Sequence, residues 1–243
     1  MIEAAHLTYS YDGVREVLSD VSFAVGESES VGLIGANGAG KSTLLKLLVG
    51  LLPDYHGQVK VNGLTVEKKH LSQIRAGTGY VFQDSESQLF LSTVYEDVAF
   101  GPRSYGYDTR EVDRRVMRAL EQVHIAHLKD RQIYRMSGGQ KKLASIATIL
   151  SMEPDTILLD EPSVALDPRN RRNLITVIRE MAGTKIVASH DLDLIWDTCE
   201  RTILLSEGKI VKEGETRELL TDEDLLRRNG LELPLSLSRA QER

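Results

Sequence analysis

The chain has 243 residues, with 30 Lys and Arg against 36 Asp and Glu and a formal net charge of −6. That length holds one large α/β domain, or a domain with a subdomain, and the acidic balance lacks the basic footprint of a nucleic-acid partner. A single cysteine, Cys199, excludes an internal disulfide and fits a reducing compartment.

From the N-terminus, "MIEAAHLTYSY" has no basic stretch leading into an apolar one, so no signal peptide is expected. Strand-like apolar runs follow at "SVGLIG" (30–35), "QVKVNG" (58–63), "TGYVFQ" (78–83), "TILLDE" (156–161), "KIVASH" (185–190) and "RTILLS" (201–206). Helix-period stretches lie between several of them, which predicts a mostly parallel sheet covered on both faces. "VNGL" and "SEGKIV" read as hairpin turns, so part of the sheet is antiparallel. The region from about 88 to 150 carries no convincing strand. Val112, Val116, Leu120 and Val123 recur there at helical spacing behind a candidate N-cap, Asp108. It reads as a helical insertion in the α/β core. The longest apolar run, "LLKLLVGLL" from Leu44 to Leu52, is too short to span a bilayer.

"GANGAGKST" runs through Gly35, Ala36, Asn37, Gly38, Ala39, Gly40, Lys41, Ser42 and Thr43, directly after a strand and before a helical pattern. It matches G-x-x-x-x-G-K-[ST] in the context that motif requires. The glycines let consecutive N–H groups face one anion at a helix N-terminus. Lys41 then bridges the β- and γ-phosphates, and Ser42 holds Mg²⁺ through its hydroxyl. The competing reading is a glycine-rich turn without a ligand. "TILLDEP" ends a strand with two carboxylates: Asp160 suits a water-mediated contact to Mg²⁺, and Glu161 suits polarising an attacking water. Here the competing reading is an ordinary strand end. "RMSGGQKKLASIATIL" places Ser137, Gly138, Gly139 and Gln140 at a helix start, a second N–H cluster able to take a phosphate, or else a flexible cap.

These segments, in this order and together with "SH" at Ser189–His190, resemble an ATP-binding cassette (ABC) ATPase over nearly the whole chain. The resemblance implies a P-loop NTPase core of mostly parallel sheet, an antiparallel β part and a helical subdomain insertion. It implies a single ABC ATPase domain over 1–243, with the subdomain at about 88–150 and a C-terminal tail at about 222–243. By position, Tyr11 resembles the aromatic that stacks on adenine, and Gln83 the glutamine that senses Mg²⁺ and the attacking water. Asp167 resembles the loop aspartate linking the two sites of a dimer, and His190 the switch histidine at the γ-phosphate. Ser137 and Gly139 of one subunit are implied to close over ATP held by Gly35–Thr43 of another. The working unit is therefore a dimer with a second ABC ATPase subunit, a homodimer in preference to a heterodimer. Two positions depart from the pattern. Lys142 and Leu143 stand where the family has a glutamine and then an arginine, and Ala165 stands where it commonly has glycine.

"QDSESQLFLSTVYEDVAFGP" resembles a segment of energy-coupling-factor importers, including the cobalt and nickel importers, with Ser85 in place of the family proline. "DEDLLRRNGLELPL" resembles their C-terminal segment. The implied function is ATP hydrolysis driving uptake of a trace nutrient such as cobalt, nickel or a vitamin. The implied place is peripheral, on the cytoplasmic face of the cell membrane. A transmembrane coupling subunit is expected to dock near Gln88, Leu89 and Phe90, an apolar group in a loop that awaits a partner. Alternatively Leu89 and Phe90 tuck into the helical subdomain, and both readings can hold for different side chains. His124 and His127 share a helical face without needing a metal, and "DRRVMR" (113–118) reads as a helix surface. A soluble clamp or assembly scaffold without a membrane subunit is the other functional class.

Overall fold

In the computed structural model, which describes residues 1–241, two sheets clasp one buried helix. The elements run β1 (Ile2–Ser10), β2 (Glu16–Val25), β3 (Ser30–Ile34), α1 (Lys41–Leu48), β4 (His56–Val61), β5 (Leu64–Thr65), α2 (Leu71–Ala76) and β6 (Thr78–Val81). The helical region holds α3 (Val94–Ser104), α4 (Thr109–Gln122) and α5 (Gly138–Leu150). Then come β7 (Thr156–Asp160), α6 (Pro168–Glu180), β8 (Thr184–Ala188), α7 (Leu192–Thr198), β9 (Arg201–Ser206) and β10 (Lys209–Glu215). The chain closes on α8 (Thr216–Leu219), α9 (Glu223–Arg228) and α10 (Leu235–Gln241).

The larger sheet has the order β10-β9-β3-β8-β7-β6, parallel except for the β9–β10 hairpin. Its inner strands β3, β7 and β8 are buried at every position, as strands covered on both faces must be. The smaller sheet, β2-β1-β4-β5, is antiparallel. Helix α1 is filled on nearly all sides by Leu44, Leu45, Leu47 and Leu48 and lies in the apolar core shared by the two sheets. The opposite face of the large sheet packs against α3–α7 and the C-terminal helices. Val112, Val116, Leu120 and Val123 are all buried in that layer, and the Asp108 carboxylate accepts from Glu111 N at 2.9 Å to cap α4. Cys199 follows α7 and is buried, a free thiol.

Six expected strands are present, but β6 stops at Val81, short of the 83 expected. Strands β1 and β2 were not expected. Their buried residues fall at 2, 4, 7, 9 and at 18, 21, 23, 25, so each breaks the alternation of a strand once. The break is a bulge in each strand, with His6 at φ 52° and Asp20 at φ 54° where the register slips.

Candidate functional site

Gln83, Lys41, Glu161 and His190 all follow the carboxyl ends of parallel strands, the edge where open α/β sheets bind ligands. Beyond β3 the chain turns through a loop whose tip, Asn37–Gly38, is exposed, while Gly35, Ala39 and Gly40 are buried. Gly40 sits at φ 106°, and a Cβ there would lie 2.7 Å from the Leu18 side chain, so only glycine starts α1 at this spot. The Lys41 ammonium donates to Gly35 O at 2.7 Å and lies 3.3 Å from Glu161 Oε1, with both side chains buried. Ser42 Oγ donates to Asp160 Oδ1 at 2.8 Å, and the Tyr80 hydroxyl donates to Asp160 Oδ2 at 2.9 Å. Burial first, then the Asp160 charge, pushes the Tyr80 phenol far up, so it stays protonated as a donor. Tyr80 escaped the sequence reading because an aromatic inside a strand run reads as core.

Glu161 stands one residue past β7 at φ 47°, a left-handed backbone uncommon for a non-glycine residue. That turn brings its carboxylate back under Ser189 and His190. Glu161 Oε2 accepts from Ser189 Oγ at 3.2 Å and from His190 N at 3.2 Å, and lies 2.8 Å from His190 Nδ1. Asp191 caps α7 and is gripped by Arg171 at 2.6 and 2.7 Å, which fixes the segment carrying His190. Half of the His190 side chain remains open to solvent. The structure thus builds two adjacent networks, Lys41–Glu161–His190 and Ser42–Asp160–Tyr80, joined only through neighbouring residues of the chain.

Tyr11 is 58% exposed. Its hydroxyl meets Thr43 Oγ1 at 3.1 Å, and its ring meets Tyr9 edge-on at 5.0 Å. An accessible aromatic face therefore borders the phosphate loop. Gln83 is exposed. Ser137 and Gln140 form a reciprocal capping box on α5, Gln140 N donating to Ser137 Oγ at 3.3 Å and Ser137 N to Gln140 Oε1 at 3.1 Å. Ser137 and Gly138 are exposed, whereas Gly139 is buried against Asn170. Asn170 in turn donates to Asp167 Oδ2 at 2.6 Å, so the loop aspartate and the "SGGQ" turn are tied within one chain. Ala165 sits at φ 62°, which explains why glycine suits this position.

The loop after Gln83 divides the three residues expected near a docking surface. A short 3₁₀ turn, Ser85–Ser87, turns Gln88 and Leu89 inward. Gln88 Nε2 donates to Ser145 O at 2.7 Å and Thr148 Oγ1 at 2.8 Å, and Leu89 is buried in the helical layer. Both side chains have internal partners, which is the alternative placement expected for Leu89. Phe90 alone of the three points out, 64% exposed and edge-on to exposed Phe100 at 5.0 Å.

Among the described residues, no group of three or more His, Cys, Asp and Glu could hold a metal by itself. The convergent Ser42 hydroxyl and Asp160 carboxylate are hard oxygen donors, which fits Mg²⁺, an ion that completes its shell with waters and substrate phosphates. Residues 18–164 match the profile of the ABC transporter family. The chain belongs to that family. It is an ABC ATPase, an ATP hydrolase with the mixed sheet and helical subdomain of that fold. It is 46% identical over 237 residues to the Geobacter sulfurreducens protein GSU1281, by name an ABC transporter ATP-binding protein, covering 98% of this chain and 95% of that one. It is 40% identical over 237 residues to the energy-coupling factor transporter ATP-binding protein EcfA of Carboxydothermus hydrogenoformans, covering 96% and 87%. Among solved structures, cbiO1 of Clostridium perfringens, part of the ABC transporter complex cbiONQ, superposes with a TM-score of 0.85 at 31% identity, covering 100% and 98%.

Proposed function

We propose that this ABC ATPase is the ATP-hydrolysing subunit of an energy-coupling-factor type importer of a trace nutrient such as cobalt, nickel or a vitamin. Residues 1–243 act as one cassette, peripheral on the cytoplasmic face of the cell membrane. No described helix is long and apolar enough to cross a membrane, so the free energy of hydrolysis must leave through a surface contact. The observation that carries this reading is the exposed Phe90–Phe100 pair, whose members lie seven and seventeen residues beyond Gln83. Likeness to EcfA and to cbiO1 supports the importer class.

In the proposed cycle, Tyr11 offers its ring to the base and Gly35–Thr43 wraps the phosphates. Phosphate takes over the Lys41 ammonium from the Gly35 carbonyl and Glu161, which frees the Glu161 carboxylate to polarise water. His190 already contacts that carboxylate and stays solvent-facing, able to reach the γ-phosphate. Ser42, Asp160 and Gln83 would hold Mg²⁺, which when bound neutralises charge developing on the phosphates. Ser137–Gln140 of a second, identical chain completes each site, with Asp167 beside the seam.

Phe90→Ala tests the docking reading. A buried aromatic anchor contributes about 2 kcal/mol or more to an interface, so co-purification with a membrane subunit should fall at least about tenfold while Tm and ATP binding hold. A large loss of Tm with intact assembly would sink it.

A further inference from the structure

We propose that Lys142 is a positioning residue for ATP hydrolysis, tying the backbone at Gln83 to the helix that begins at Ser137 so that the two ends of the composite site move as one. Lys142 lies on α5 and is 2% exposed. Its ammonium donates to Phe82 O at 3.0 Å and Gln83 O at 2.6 Å. Strand β6 ends at Val81, so these are the first two carbonyls past the β6–β7 ladder. Partly buried carbonyls left by a ladder need a donor, and here the donor comes from the helical subdomain.

A buried ammonium is costly unless hydrogen-bonded. Burial pushes Lys142 down to about 8, with Asp84 and Asp160 pulling it back up. Its hydrogen bonds go to main chain, so the charge is spent on holding the Gln83 segment. The α5 N-terminus carries Ser137–Gln140, one turn and a half before Lys142. A shift of that helix on dimer closure therefore pulls directly on Gln83. The glutamine usual in the family at this position brings two N–H donors on one amide, enough for the same pair of carbonyls.

This inference rests on the reading that Gln83 serves Mg²⁺ and the attacking water. The test is steady-state ATP hydrolysis by the full chain, with Lys142→Met and Lys142→Gln made in both the wild-type and Gln83→Ala backgrounds. Lys142→Met should lower kcat about tenfold with KM within about twofold, and Lys142→Gln should restore it, because a transition-state positioning contact is lost and regained. In the Gln83→Ala background, Lys142→Met should add less than about a twofold loss, as coupled residues do in a double-mutant cycle. If thermal melting shows that Lys142→Met does not fold, Lys142→Ala, which removes the donors and leaves room for water at the two carbonyls, carries the same comparison. An equal loss in both backgrounds, or a raised KM with kcat intact, overturns the strut. Full turnover in Gln83→Ala alone overturns the role of Gln83 and the strut with it.

Discussion

The two halves of the proposed nucleotide site are built on opposite plans. Around the phosphate loop, every charged group is buried and answered within the chain: Lys41 by Gly35 and Glu161, Asp160 by Ser42 and Tyr80, Glu161 by Ser189 and His190. At the other half, Ser137 and Gly138 face solvent, and the cap hydrogen bonds are satisfied only by Gln140. A self-contained network can be preorganised before substrate arrives, which is where electrostatic catalysis gains most. An exposed helix start leaves its outer face free for something outside the chain.

The sharpest way to break that contrast is Glu161→Gln. If the buried half carries the chemistry, turnover should fall by about 10²–10⁴ while ATP binding stays near normal, and near-normal turnover would remove Glu161 from that role. Ser137→Arg probes the exposed half. Overfilling a closed seam costs about 1–3 kcal/mol, or roughly fivefold to 150-fold in dimer affinity. On a sizing column with ATP, Glu161→Gln should dimerise and the double variant should not. Ser137→Ala controls for the lost cap, worth about 1 kcal/mol; equal dimerisation by all three variants would mean the seam lies elsewhere. The smallest effect is expected from Gly139→Ala, whose Cβ would meet the Asn170 side chain at 2.4 Å. It should cost about 1–3 kcal/mol of stability, lowering Tm by several degrees, and Asn170→Ala should restore it. An unchanged Tm would show that Asn170 moves aside freely.

Much of this was legible in the residues. The phosphate loop, the carboxylate pair and the "SGGQ" turn are contiguous motifs, and contiguous motifs survive without knowledge of the fold. The inner strands were legible because full burial on both faces writes an unbroken apolar run. Strands β1 and β2 were not, since bulges at His6 and Asp20 reset the alternation midway. The Gln88–Phe90 loop was only half legible. Leu89 and Phe90 are neighbouring apolar residues, and the Ser85–Ser87 turn, with the Asp97 carboxylate accepting from Phe90 N and Leu91 N at 3.1 Å, sends Leu89 into the core and Phe90 out. Tyr80 had no signature, and Lys142 stood out only as a departure from the family pattern, because each acts on a group far away in sequence, Asp160 at 80 positions and Phe82 at 60.

The lone cysteine gives the molecule an experimental advantage. Cys199 is sealed behind α7, and burial pushes its thiol up to about 11. Thiolate is the reactive form, so at neutral pH the native sulfur is nearly silent toward maleimides and spin-label reagents. Any cysteine introduced at an exposed position away from the seam, Glu121 on α4 for instance, becomes the one addressable handle on the chain. The separation between two copies can then be followed by resonance energy transfer or electron-spin spectroscopy through a whole turnover, without first stripping the protein of its own sulfhydryl.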